Sequence, residues 1–163
     1  MGLYRKGVAM AREMRRQDRK VSDEKAWEML EEAEWGILSL ASSDGEPYGV
    51  PLNFVCQEKC IYIHCAIEGK KIDIIKENEK ASFCCVLSAK AIPEKFTTAY
   101  ASAIAGGKVE IASDEEKRKA LKLLIEKYCV GLEKEGLDYI DRLYGKTEVI
   151  KFSVESISGK SNI

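Results

Sequence analysis

The reading turns on Ile61-Tyr-Ile-His-Cys-Ala-Ile-Glu-Gly-Lys-Lys-Ile-Asp-Ile-Ile75. Its first six residues alternate, Ile61, Ile63 and Cys65 against Tyr62, His64 and Ala66, a two-residue period that predicts a strand with two differently occupied faces. Gly69 breaks that strand. Lys70 and Lys71 then fall in the first turn of a short helix whose apolar residues include Ile72 and Ile75, three apart on one face. Two ammonium groups beside the free N–H donors of a helix N-terminus suit a phosphate. A plain solvated surface is the other reading, because the macrodipole disfavours cations at that end when no anion is bound. His64, the chain's only histidine, is open in the same way. It is either a structural strand residue or a proton-carrying group, since no acidic partner stands at a recognisable spacing.

Upstream, Ser22 is positioned to cap a helix reaching about residue 33, with Asp23 and Glu24 in its first turn and Ala26, Met29, Leu30 and Ala33 as its apolar stripe. Trp27 and Trp35 are expected to pack against the sheet. Residues 36–42 read as a strand, and Ser43-Asp-Gly-Glu46 as a hairpin turn. From Tyr48 to Cys56 a second strand alternates Tyr48, Val50, Leu52, Phe54 and Cys56 with Gly49, Pro51, Asn53 and Val55. Pro51 has no N–H, so a free edge or a break is expected there, with backbone groups within reach of a ligand.

Downstream, 81–87 and 99–111 are strand-like. Ala99, Ala101, Ala103 and Ala105 share one face of the second, either for close packing inside the protein or as a seat for a flat ring. Thr97 and Thr98 precede that strand and serve a turn or a phosphate equally well. Ser113-Asp-Glu-Glu116 is a capping box opening a helix to about residue 129, with Leu121, Leu124, Ile125 and Tyr128 as its core stripe. Gly131 is placed to end it, a shorter helix covers about 135–144, and 149–154 forms a last strand. The order predicts an α+β domain with six antiparallel strands in a small barrel over residues 21–163, behind a basic arm at 1–20.

At 163 residues, 45% hydrophobic and 33% charged, the chain has the composition of one globular domain. Its net charge is −1, yet residues 1–20 hold seven Lys/Arg against two acids, so the basic character is local. The arm reads as solvated, as a dimer arm or as a nucleic-acid contact, and with Tyr4 its only aromatic no nucleic-acid partner is expected. No run of about eighteen apolar residues is present, and Arg12 interrupts the apolar patch 7–11 too early for a signal peptide. A cytoplasmic protein without a membrane partner is therefore expected. The six cysteines lack metal-ligand spacing, so no metal is expected and the thiols read as reduced. Cys56 and Cys60 flank a turn and are the one pair that oxidation could join.

Four segments in order, Met14-Arg-Arg16, Gly45-Glu-Pro-Tyr-Gly-Val-Pro-Leu-Asn53, His64-Cys-Ala-Ile-Glu-Gly-Lys-Lys71 and Phe96-Thr-Thr-Ala-Tyr-Ala-Ser102, resemble the pyridoxamine 5′-phosphate oxidase-related flavoproteins. Within them the resemblance is to the nitroimidazole-resistance, or nitroreductase-like, branch, and it spans Met14 to Lys160. It implies a six-stranded antiparallel split β-barrel of FMN-binding type that forms a homodimer, with FMN in the groove between subunits. Val50, Pro51, Leu52 and Asn53 would then offer backbone groups to the flavin ring, and His64, with Cys65 and Ala66, would lie beside it. Lys71 would neutralise the FMN phosphate, with Lys70, Thr98 and Ser102 nearby.

The activity implied is that of an FMN-dependent oxidoreductase passing electrons from a donor such as a reduced nicotinamide to a small acceptor, with nitroaromatics as one class. His64 would be its catalytic proton donor or substrate contact. Alternatives on the same barrel are a non-catalytic flavin-binding stress-response protein and a haem-handling relative with His64 as axial ligand. Residues 103–107 are smaller than the family pattern. The basic substrate-phosphate features of a true pyridoxamine phosphate oxidase are not evident near residue 160, which disfavours vitamin B6 oxidation.

Overall fold

The computed structural model describes residues 13–163. In order these form β1 (Lys20–Val21), α1 (Asp23–Glu32), β2 (Gly36–Ala41), β3 (Pro47–Leu52), β4 (Val55–Gln57), β5 (Cys60–Ala66), α2 (Lys70–Glu77), β6 (Lys80–Ile92), β7 (Thr97–Ile111), α3 (Asp114–Tyr128), α4 (Glu133–Leu143) and β8 (Thr147–Ser161). All eight strands belong to one antiparallel sheet of order β3-β2-β6-β7-β8-β5-β4, with β1 added against β8. The sheet curls into a half-barrel flanked by the four helices. Of the basic arm expected at 1–20, residues 1–12 lie outside the described residues; Lys20 and Val21 are the strand β1.

The strand count corrects the expected six. The chain from Tyr48 to Cys56 is two strands, because the ladder stops after Leu52 and resumes at Val55. β1 adds another, and at two residues it is too short to show a period. The free edge expected at Pro51 is present, since β3 is the outermost strand beyond β2. The last strand runs over fifteen residues, well past residue 154, because β5 and β7 pair with it on its two sides.

The pairing of the long strands shifts register at two bulges, where Leu87 of β6 is extra against β7 and Glu155 of β8 is extra opposite Gly106 and Gly107 of β7. At the second, a Cβ on Gly107 would stand 2.0 Å from the carbonyl oxygen of Ser153. Only glycine lets the two backbones approach this closely.

The concave face is closed by α1 through Ala26, Met29 and Leu30 and by α2 through Ile72, Ile74 and Ile75, around Leu38, Phe54, Ile61, Ile63, Phe83 and Phe152. Phe54 and Phe83 meet edge to face with centroids 4.7 Å apart. Ala101, Ala103 and Ala105 are buried in this core. Their small side chains serve internal packing, and the reading of that stripe as a ligand seat falls away. Trp27 packs against the core, whereas Trp35 is 52% exposed, against expectation.

A second apolar cluster lies on the other face, where Tyr62 and Val149 meet Leu121, Leu124 and Ile140 of α3 and α4. β5 is therefore used on both sides, as its alternation required. The same alternation separates Cys56, packed on the first cluster, from Cys60, packed on the second. The two thiols sit on opposite faces and all six cysteines are free. Burial pushes the Cys56 thiol up to about 12, so it stays protonated and inert.

Candidate functional site

The outward face of β5 leads into a cavity of about 290 Å³. Asn53, His64 and Thr147 line it from the sheet side, α3 contributes Leu121, Leu124, Ile125, Tyr128 and Cys129, and α4 closes it with Tyr139, Ile140 and Leu143. The lining is apolar apart from a few convergent polar groups, the usual make-up of a small-molecule pocket. His64 stands directly across from the buried Val149 on β8. It is solvent-exposed at the cavity rim, yet the surrounding protein desolvates the imidazolium and the Lys71 ammonium opposes it, so its pKa is lowered. At neutral pH the ring is a neutral imidazole, with one N–H to donate and one nitrogen to accept.

Lys70 and Lys71 open α2 but diverge. Gly69, at φ 125°, is the cap, and its carbonyl accepts the N–H groups of Ile72 and Asp73 at 2.8 and 3.1 Å. A glycine has no side chain to satisfy the earlier N–H groups, which leaves them to water or a ligand. Lys70 reaches back to the β2–β3 hairpin, 3.3 Å from Glu46 Oε1 and 5.1 Å above the Tyr48 ring. Lys71 has neither of these contacts, and its charge acts instead on the ionisation of His64 and Cys65. Among the described residues no carboxylate pairs with it.

Asn53 occupies the gap between β3 and β4, where the structure builds a brace the sequence did not announce. Its Nδ2 donates to the Glu34 carbonyl at 2.9 Å. The Tyr128 hydroxyl accepts the Phe54 N–H at 3.1 Å and has the carbonyls of Glu34 and Phe54 within reach at 2.6 and 2.8 Å. Lys127 donates to the carbonyls of Ala33 at 2.8 Å and Phe54 at 3.2 Å, and its ammonium lies 4.5 Å over the Phe54 ring. Burial lowers its pKa. The last turn of α3 thus ties the end of α1 to the strand break. The apolar spacing of α3 accounts for Tyr128 only as a core residue, and nothing in the sequence marks Lys127.

The expected residues are only partly brought together. Asn53 and His64 share the cavity, Cys65 is buried behind it, Ala66 ends β5 in solvent, and the charge of Lys71 is felt at His64. Val50 and Leu52 turn into the core while Pro51 faces out on the edge strand. Thr98 and Ser102 stand elsewhere. Ala66 pairs with Thr147 and Ser102 with Lys160, at opposite ends of β8. Within one subunit a long stretch of strand separates them from Lys71.

The sequence pattern of the pyridoxamine 5′-phosphate oxidase family matches residues 22–161, a span that includes all the strands but β1, the four helices and the whole cavity. The chain belongs to this family. A comparison with curated proteins finds no significant relative. Among solved structures, this pyridoxamine 5′-phosphate oxidase family member is similar to a candidate 5-nitroimidazole antibiotic resistance protein from Bacteroides thetaiotaomicron, with 26% identity, a TM-score of 0.73 and 86% and 85% of the two chains covered. It is also similar to the conserved hypothetical protein Rv2991 from Mycobacterium tuberculosis, at 14% identity, TM-score 0.78 and coverage of 91% and 90%. The FAD and heme binding protein from Mycobacterium smegmatis follows at 19% identity, TM-score 0.70 and coverage of 88% and 73%. These last two similarities bear on the fold alone.

Proposed function

We propose that this family member is an FMN-dependent oxidoreductase that works as a homodimer and passes electrons from a reduced nicotinamide or similar donor to a small neutral aromatic acceptor, with nitroaromatics as the leading class. The observation that carries this reading is that Asn53, which directly follows the edge strand β3, and His64 line one apolar cavity, while the charge of an unpaired Lys71 acts on His64. These residues fit a flavin phosphate and ring: a cation with uncapped helix N–H groups for the one, an apolar slot with backbone donors and acceptors at an edge strand for the other. The flavin would supply the redox chemistry. Lys71 would hold the phosphate, Asn53 and the β3 edge would orient the ring, and neutral His64 would present its N–H to the acceptor. An apolar wall of α3 and α4 favours uncharged substrates over anionic ones.

Two further features support a dimer. Val86 and Ile104 are 52% and 54% exposed on the outward face of β6 and β7, and Phe96, in the turn between these strands, is 99% exposed, apolar surface that a partner subunit would cover. Thr98 and Ser102, which the resemblance places near the FMN phosphate, stand far from Lys71 within one subunit, so they would reach a ligand held there from a second subunit. The 5-nitroimidazole resistance description of the Bacteroides thetaiotaomicron protein agrees with this chemistry.

The test is reconstitution of the full chain with FMN, followed by NADPH-driven loss of a nitroimidazole. Retained flavin absorbance with turnover that falls at least tenfold in His64→Ala is the expected outcome. A protein that takes up no FMN, or that purifies with a haem Soret band instead, sinks the proposal. FMN uptake without turnover would leave a flavin binder, and unchanged turnover in His64→Ala would remove the role given to His64.

A further inference from the structure

Lys20, Lys160, Ser102 and Val86 stand in one row across four adjacent strands. The register pairs Lys20 of β1 with Lys160 of β8, Lys160 with Ser102 of β7, and Ser102 with Val86 of β6. Directly opposed residues of an antiparallel sheet project from the same face. Their chain neighbours point the other way: Ala101 and Ala103 are buried, and Val21 packs on the core. The row therefore faces outward, on the side away from α1, and Val86 in it is 52% exposed.

Two lysines directly across from each other repel, and the fold goes out of its way to set them there. β1 has only Lys20 and Val21, and it reaches β8 at Gly159, where a Cβ would come within 2.6 Å of Val21 and 2.9 Å of Ala26. Arg19 extends the charge to the next row, its guanidinium 5.7 Å from the Tyr100 ring centre and 3.4 Å from the Tyr100 hydroxyl. Asn162 stiffens that row by accepting the Tyr100 N–H at 2.7 Å and donating to the Thr98 carbonyl at 2.8 Å. Asp18, the nearby acid, is already held by Arg16 at 2.5 Å. Asp23 and Glu24 belong to α1, which packs on the opposite face. Among the described residues no carboxylate pairs with Arg19, Lys20 or Lys160, and residues 1–12 contain Arg5, Lys6 and Arg12 but no acid.

We propose that this row, with Lys20 and Lys160 as its cations and Ser102 as its hydroxyl donor, binds a phosphoryl group, at a place distinct from Lys71 in the same subunit. A phosphate between the two ammonium groups converts their repulsion into two charge-assisted contacts. The phosphoryl group has two possible sources, the flavin phosphate reached across a subunit groove or the diphosphate of a dinucleotide donor. Only that choice of source rests on the flavin reading.

Inorganic pyrophosphate titrated into the full chain at low salt is the primary probe. The double variant Lys20→Gln/Lys160→Gln is expected to lose at least tenfold in pyrophosphate affinity. Its melting temperature without ligand should be unchanged or higher by roughly 1–3 °C, because the opposed charges are gone. If FMN affinity also falls tenfold while riboflavin affinity holds, the source is the flavin phosphate. If FMN holds and the KM for NADPH rises tenfold at constant kcat, the source is the donor. A loss confined to pyrophosphate keeps the site and removes both sources. Affinities for pyrophosphate and FMN and a KM for NADPH all within twofold of the parent chain overturn it. A chain that takes up no flavin fails the previous proposal only, and the pyrophosphate titration still decides this one.

Discussion

At the scale of single residues, the informative pair is His64 and Lys71. Desolvation and the neighbouring ammonium both push the imidazole below its ordinary pKa. As this is the only histidine, its ring resonances can be followed by NMR without assignment ambiguity. The titration should fall below about 6.5. It should move back upward in Lys71→Met, and also when an anion neutralises Lys71 in the parent chain. A midpoint indifferent to both changes would show that the Lys71 charge does not act on the ring.

The same shift has a stability consequence. The unfolded chain takes up a proton near its ordinary pKa while the folded ring resists, so this contribution is present above about pH 6.5 and is lost as the pH falls through the folded pKa. His64→Gln should flatten the corresponding part of a stability–pH curve measured by urea unfolding. The position of His64 was legible from strand alternation alone. The different fates of Lys70 and Lys71 were not, because their divergence depends on Glu46 and Tyr48 arriving from another hairpin.

At the scale of elements, the last turn of α3 is the piece that holds the site's strand break in place. Tyr128→Phe removes the acceptor of the Phe54 N–H and the donor to Glu34, and should cost about 1–3 kcal/mol in urea unfolding. Lys127→Met keeps the packing on Phe54 but leaves the Ala33 and Phe54 carbonyls without their donor, with a similar expected loss. If the brace positions Asn53, either variant should also loosen FMN more than its loss of stability explains; equal Kd values for FMN in parent and variants would make the brace purely structural. The helices were largely readable, since Ser22 and the Ser113/Glu116 capping box act within a few residues. The strands were harder. Where β3 ends depends on Tyr128, which lies 74 residues from Phe54, and β1 exists only because Gly159 admits it. The cavity itself was invisible, because its wall residues have the spacing of an ordinary core face.

At the scale of the whole molecule, the outward sheet face should decide the assembly. Light scattering is expected to give a dimer for the parent chain and a monomer for Val86→Lys/Ile104→Glu; a monomeric parent would end the shared-groove reading. Gly107→Ala tests the bend of the sheet. With Ser153 in the way of any Cβ, the loss should be on the order of 3 kcal/mol, and a melting temperature within a degree of the parent would mean the bulge rearranges cheaply.

The placement of β8 between β5 and β7 has one more consequence, for synthesis. β5, β6 and β7 all leave the ribosome before β8, yet one side of β5 and one side of β7 are covered only by it. Until residues 147–161 are made, the nascent chain carries two long unpaired edges that invite pairing with other chains. Soluble yield should therefore depend on translation speed and temperature more steeply than the stability of the finished protein would suggest.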